Sequence, residues 1–264
     1  MEKIKQKAKI LTKDEYFGGS AINSSSVKKL IDLVKKIKPI EIKDKILLNK
    51  EFELIEDFID NNEKKTYSSL KNLSVGSAIH DICLEKVDRF DAIKNNCIGY
   101  DDVNSLKIID LCCTRFADLN FEYSNPVAEY CFFKNFETIE LKAKIDLVCE
   151  VDNKICIVDL KTISSSDAIN FNINRYNYWF QCLYYKYLIE EEGIAIDDLI
   201  LIFLSKKDDD DKPFKIIKFS DIPYEFQYQE TTSFFYYLRL FSEMRSFYIQ
   251  KGCQSEILKK ILHI

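Results

Sequence analysis

Glycine and proline are scarce in this chain, six and four residues out of 264, which argues against long structureless linkers. Long apolar runs are missing too. No stretch reaches the roughly 18 apolar residues that would suggest a membrane-spanning helix. Residues 1–12 alternate lysine with apolar residues and lack the continuous apolar core of a signal peptide, so a cytoplasmic location is expected. Among the nine cysteines there is no C-x-x-C, and most lie in apolar runs, as buried reduced thiols do. A zinc or iron–sulfur site needs clustered cysteines, and only the adjacent Cys112 and Cys113 come close. An excess of positive charge is also absent, the net charge being −5. Nucleic-acid binders are usually basic. A site that holds metal through carboxylates is acidic by design, however, and a bound cation reverses its sign, so net charge does not decide the matter.

The remaining composition, 47% hydrophobic and 31% charged, is that of a globular chain. The length fits one large domain or two small ones, and is read here as a single domain: a helical portion over 1–70, a core over 71–220 and a C-terminal helix over 221–264. Val27, Leu30, Ile31 and Val34 recur at helical spacing after a serine run that can cap the start, predicting a helix over 24–38 that Pro39 stops. A second amphipathic stretch spans 50–61. A third helix, over 74–88, carries Gly76 and His80. Residues 91–125 give no clear pattern beyond a helix near 108–120.

The period then changes. Residues 127–133 form an apolar and aromatic strand with Glu129 embedded. Residues 138–149 alternate: Ile139, Leu141, Ala143, Ile145 and Leu147 are expected on one face, and Glu140, Lys142, Lys144 and Asp146 on the other. Asn153 marks a turn into a partner strand over 154–161. A long aromatic helix is predicted over 167–191, ended by Gly193. Apolar residues 199–204 read as a strand covered on both faces. A further strand follows at 214–219 and a last helix at 227–250. This order implies an α/β fold, a mixed sheet flanked by helices.

The hairpin carries the chemistry. Asp159 and Lys161 are two apart and face the same side of their strand. A turn around Asn153 brings Asp146 across from Asp159. Two carboxylates and an ammonium in one small space suit phosphodiester hydrolysis. Carboxylates and the Leu160 carbonyl can hold a hard cation such as Mg²⁺, and a lysine can orient water or stabilise charge on the phosphate. The competing reading is a salt bridge at a strand end. Glu129 is either the charged side of an edge strand or a third carboxylate for the metal. His80 is either structural or a ligand, with Gly76 one turn earlier allowing close approach of another chain. Tyr178, Gln181 and Tyr185 share one helical face, as a core stripe or as a surface for a nucleic-acid strand.

In order, Gly-x-x-x-His (Gly76 to His80), Glu129, Ile145-Asp146, Asp159-Leu160-Lys161 and Tyr178-x-x-Gln181-x-x-x-Tyr185 resemble the RecB-type branch of the PD-(D/E)XK nucleases, most closely the RecE-type, exodeoxyribonuclease VIII-like enzymes. The opening segment Ile22 to Leu30 and the strand pair over 201–219 fit as well, so the resemblance covers about 20–220. It implies a restriction-endonuclease-like core with helical N-terminal additions. It further implies one or two Mg²⁺ or Mn²⁺ ions on His80, Glu129, Asp146, Asp159 and the Leu160 carbonyl, with Lys161 positioning the attacking water. Tyr178, Gln181 and Tyr185 would support the site or hold DNA.

Lys142 and Lys144 face the site side of their strand and are candidates for phosphate contact. The pairs Lys28-Lys29 and Lys35-Lys36 are candidates for a DNA path. The implied activity is ATP-independent digestion of double-stranded DNA from an end, often by a homo-oligomeric ring, beside a single-strand annealing protein in phage recombination and repair. The alternatives are an endonuclease or nickase of the same fold, a DNA-binding or anti-defence protein that has lost catalysis, and a globular protein with chance motifs.

Overall fold

Residues 21–37 and 70–253, with Glu2, Ile4, Lys259, Ile261 and Leu262, are described by a computed structural model of the chain. The stretch expected at 50–61 lies outside them, as do the side chains of Lys35 and Lys36. Five strands form one sheet in the order β1 (Ser124–Phe136), β2 (Ile139–Val151), β3 (Lys154–Ile163), β4 (Asp198–Ser205) and β5 (Phe214–Lys218). Neighbours are antiparallel except for β3 and β4, which are parallel. A parallel pair needs a long crossover, and here helices supply it. The helices are α1 (Ser24–Ile37), α2 (Leu70–Cys83), α3 (Arg89–Asn95), α4 (Val103–Asp118), α5 (Ile169–Arg175), α6 (Tyr178–Glu190) and α7 (Tyr224–Lys251).

The sheet separates two cores. On one side Leu199, Leu201 and Phe203 of β4 pack with α1, α5, α6 and α7. On the other, Ile200, Ile202 and Leu204 pack with α2, α3 and α4. Every residue of β4 is buried, as expected of an apolar strand covered on both faces. The poorly patterned 91–125 stretch holds α3 and α4, each opened by an aspartate. The Asp88 and Asp102 carboxylates accept the amides of Phe90 and Ser105. All nine cysteines are free thiols, and Cys83 and Cys113 lie in contact at 3.8 Å. Among the described residues no helix is long and apolar enough to cross a membrane.

The β2–β3 hairpin turns on Asp152 and Asn153, both left-handed at φ 52° and 62°. Two such residues make the tight turn whose twist matches the strands. It sets Val151 against Lys154 and carries the ladder to Leu147 against Val158. There the ladder ends, although neither strand does. β2 runs back to Ile139 beside β1, while β3 continues to Ile163 beside β4. The sheet forks, and Asp146 and Asp159 stand at the crotch. Ile22 fills the gap. Its amide donates to the Glu140 carbonyl (2.7 Å), and its carbonyl accepts from the Lys142 amide (2.6 Å) and the Tyr184 hydroxyl (2.6 Å).

Two expectations need correction. Ile139, Leu141, Ala143 and Ile145 share a face as predicted, but Leu147 lies in the opposite core and Val148 takes its side. β1 changes faces at the same level: Val127 and Tyr130 sit on the α6 side, and Ala128 between them on the other. The cause lies at Glu129, a left-handed residue (φ 58°) inside the strand. The register sets Ala128 against Leu147 and Tyr130 against Ile145, so Glu129 falls opposite Asp146. Secondly, the single helix expected over 167–191 is broken. A 3₁₀ turn (Ser166–Ala168) and α5 end at a left-handed Asn177 (φ 47°, ψ 51°), and α6 starts in a new direction. Asparagine tolerates this conformation better than most residues, so the break needs no glycine.

Gly76 lies inside α2, and an added Cβ would meet nothing nearer than Thr162 Oγ1 at 3.9 Å. Among the described residues no backbone uses the close approach that Gly76 permits. Gly76→Ala is expected to stabilise the protein by about 0.5–1 kcal/mol, through helix propensity alone. A denaturant midpoint that rises at constant slope checks it; a fall would show a partner closer than Thr162.

Candidate active site

Asp159 and Lys161 project from β3 toward α6, on the face that Ile157 and Ile163 share with the α6 core. Asp159 is fully buried and Lys161 partly buried, with Lys161 Nζ 2.7 Å from Asp159 Oδ2. Burial raises the Asp159 carboxyl to about 6; Lys161 pulls it down and Asp146 pushes it up. Burial also works against the Lys161 charge, but Asp159 and Asp146 outweigh it and hold the ammonium above the ordinary lysine value. The Tyr178 ring lies 5.2 Å from Nζ and covers it.

The α6 face completes this side. Gln181 Nε2 donates to Asp159 Oδ1 (3.3 Å) and to the Tyr185 hydroxyl (2.6 Å). Lys28 Nζ of α1 donates to Gln181 Oε1 (3.3 Å) and lies 5.5 Å from the Tyr178 ring. A cation on one end of the amide and a carboxylate on the other fix which way it points. Burial lowers Lys28 to about 8, helped by Lys161 and opposed by Asp159.

The opposite side is built from α2. His80 Nε2 lies 2.6 Å from the Leu160 carbonyl and Nδ1 lies 3.3 Å from Asp146 Oδ2. If Nε2 carries the proton that the carbonyl accepts, a neutral ring presents its Nδ1 lone pair to the carboxylate. Two lone-pair donors facing each other suit a cation or a proton between them. Asp146 Oδ2 and Asp159 Oδ2 are moreover buried oxygens, the first facing the His80 ring and the second held by the Lys161 ammonium. Hard divalent ions take such oxygens, so the donor set fits a Mg²⁺ or Mn²⁺ ion. Among the described residues no three His, Cys, Asp or Glu side chains close on one point. The candidate ligands are thus two carboxylates, with the ring and the Leu160 carbonyl beside them.

His80, Asp146, Asp159, Leu160, Lys161, Tyr178, Gln181 and Tyr185 therefore stand together around the fork. Three expected residues stand apart from this cluster. Glu129 reaches the row opposite Asp146, but its carboxylate is paired with Lys144, which occupies both groups. Lys142 is a correction: its side chain is only 1% exposed, and burial lowers its pKa, against the pull of Glu140. A lysine so enclosed offers no surface for a phosphate, whatever its place in the alternation. Lys28, expected on a DNA path, instead braces the site. Its contacts cross 153 residues of sequence, and no local pattern signals that.

A family profile described as the PD-(D/E)XK nuclease superfamily matches residues 65–232. The crystal structure of a candidate exonuclease from Eubacterium rectale superposes with a TM-score of 0.51 at 15% identity, over 88% of this chain and 86% of that one. A second structure, of the protein SSO0001, aligns over 63% of this chain and 74% of its own at 14% identity, with a TM-score of 0.29. No curated protein sequence matches the chain. Five-stranded sheet, flanking helices and a match across more than half the sequence agree: the chain belongs to the PD-(D/E)XK nuclease superfamily.

Proposed function

We propose that this nuclease is a metal-dependent deoxyribonuclease of the RecB-type, exodeoxyribonuclease VIII-like pattern, hydrolysing double-stranded DNA from its ends without ATP. One observation carries the reading: buried carboxylate oxygens of Asp146 and Asp159 flank the fork, with the Lys161 ammonium 2.7 Å from the second. The exonuclease choice within the family is supported by the order of the motifs and by the likeness in fold to the Eubacterium rectale protein. A homo-oligomeric ring and a single-strand annealing partner belong to the same reading and rest on the motif resemblance alone.

Asp146, Asp159, the Leu160 carbonyl and His80 would hold one or two Mg²⁺ or Mn²⁺ ions. Bound there, the metal supplies phosphate polarisation and a more acidic water. The protein's own groups do the rest. Lys161, kept protonated by its acidic neighbours, holds a water in line and stabilises charge on the phosphate oxygens. Gln181 holds Asp159 Oδ1 and Lys161 holds Oδ2, which fixes the carboxylate's orientation at the fork. Tyr185 and Lys28 keep Gln181 in that pose. His80 holds the Leu160 carbonyl and Asp146 in one place. Glu129 joins only if it leaves Lys144, which in turn frees Lys144 for phosphate.

Asp159→Ala and Lys161→Ala are each expected to lower Mg²⁺-dependent cleavage at least about a hundredfold with the fold intact. Acid-soluble nucleotide release from linear duplex measures it, and a variant cutting at the parent rate refutes the assignment. Linear DNA should be digested while closed circular DNA survives. Cutting of the circle would make the enzyme an endonuclease or nickase, and an inert parent protein a DNA binder.

Metal binding should also track the proton on Asp159. Its folded value is raised, to about 6, so the neutral acid stabilises the metal-free fold at low pH, and that contribution is lost as pH rises through about 6. Metal takes the ionised form. Mg²⁺ should therefore raise Tm clearly at pH 8 and hardly at pH 5. An equal rise at both would place the ion elsewhere.

A further inference from the structure

The break at Asn177 turns α5 away from the line of α6 and leaves its outer side in solvent. Phe171 there is 60% exposed and Tyr176 45% exposed. Arg175 sits between their rings, its guanidinium carbon 5.4 Å from Phe171 and 5.7 Å from Tyr176. No ion pair occupies Arg175 among the described residues. The Tyr176 ring lies 5.7 Å from that of Tyr178, tilted by 31°. Tyr178 in turn covers Lys161, 5.2 Å away, and Lys28 from its other neighbour, 5.5 Å away. Phe171, Arg175, Tyr176, Tyr178 and Lys161 thus form a chain of ring and cation contacts from open surface to the nuclease centre.

Single exposed aromatics are common on any protein and need no explanation. This set differs in three respects. Its rings are in contact in series, they flank an arginine that no carboxylate neutralises among the described residues, and they lead to the residues that would meet the scissile phosphate. Flat rings with interleaved cations are the chemistry that holds unpaired nucleic acid, since every base offers a π-face while the phosphates need positive charge. A paired duplex hides its base faces except at the terminus. The chain is acidic overall, so a local cationic track of this kind is also where an anionic strand is drawn.

Resting on the nuclease reading above, we propose that Phe171, Arg175 and Tyr176 form a base-stacking platform that receives an unpaired DNA strand and delivers it across Tyr178 to Lys161. The occupant is a frayed or tailed single strand, recognised through its bases without regard to sequence. Phe171 and Tyr176 supply the stacking surfaces, and Arg175 supplies both stacking and charge. Asn177 sets the platform's angle. Its side chain donates to Asp32 of α1 (3.1 Å), which ties the corner to the helix that carries Lys28.

Fluorescence anisotropy of the full chain in EDTA, where no cleavage intervenes, tests this with a 12-nucleotide oligothymidine against an abasic strand of equal length and charge. The parent is expected to bind the oligothymidine at least tenfold more tightly. The pair Phe171→Leu and Tyr176→Leu, which keeps apolar bulk and removes flat rings, should bind both strands as weakly as the parent binds the abasic one. Arg175→Gln should weaken both strands and reduce the slope of log K against log salt by about 0.7; it serves as the test if the leucine pair melts below the parent. Equal affinity of the parent for the two strands, or an unchanged preference in the leucine pair, overturns the platform. Duplex cleavage in Mg²⁺ is scored separately. Cleavage without base preference rejects the platform alone, whereas base preference without cleavage rejects the nuclease reading beneath it.

Discussion

The site depends on keeping Asp159 and Lys161 in the interior as a working pair. Removing a carboxylate and an ammonium from water costs several kcal/mol for each ion, and their attraction offsets this only when the remaining lone pairs and protons are satisfied. Here the offsetting groups come from three directions: Gln181 from α6, Asp146 from β2 and the Tyr178 ring above the ammonium. Asp159 nevertheless remains fully enclosed, away from water. A buried acid left in that condition has its pKa driven upward, and a cation is the partner that lowers it again. The raised carboxyl and the fit to a divalent ion are one electrostatic fact.

The scaffold explains how such a pair is held. β3 is flanked by β2 and β4 and covered by helices on both faces, so its backbone has little freedom. The parting of β2 from β3 just past Leu147 and Val158 opens a slot in the sheet at the level of both aspartates. An intact ladder would have brought the strands to about 4.8 Å and closed the space between them. A fork anywhere else along the hairpin would have set the acids apart.

Much of this was legible in the sequence, and the reason is the turn. Two left-handed residues at 152 and 153 fix the register, so counting outward puts Asp146 against Asp159 without any knowledge of the fold. The alternation of β2 and the apolar run of β4 likewise report burial directly. What escaped was set by local exceptions or by distant contacts. Alternation does not foresee the face of Leu147, which changes at the level where Glu129, on the neighbouring strand, adopts a conformation that few non-glycine residues take. The break in the aromatic helix carries no sequence mark, since Tyr176, Asn177 and Tyr178 include neither proline nor glycine. Lys142 looked available because alternation assigns a side of the sheet but says nothing about what covers it.

The N-terminal segment is the other element that pattern alone undervalues. Residues 21–37 precede the stretch matched by the family profile, which begins at residue 65, and in sequence they look like an addition to a complete core. In the structure they occupy the fork. Ile22 hydrogen-bonds the edge of β2 that β3 has left exposed, which would otherwise be a row of unpaired amides and carbonyls in the interior. From there α1 runs past α6 and meets it twice, through Lys28 on Gln181 and Asp32 on Asn177. The first contact orients the amide that orients Asp159, and the second holds the corner from which α5 departs. A fork that opens the sheet beside Asp146 and Asp159 also creates an unsatisfied strand edge, and the segment that satisfies this edge is the one that steadies Asp159.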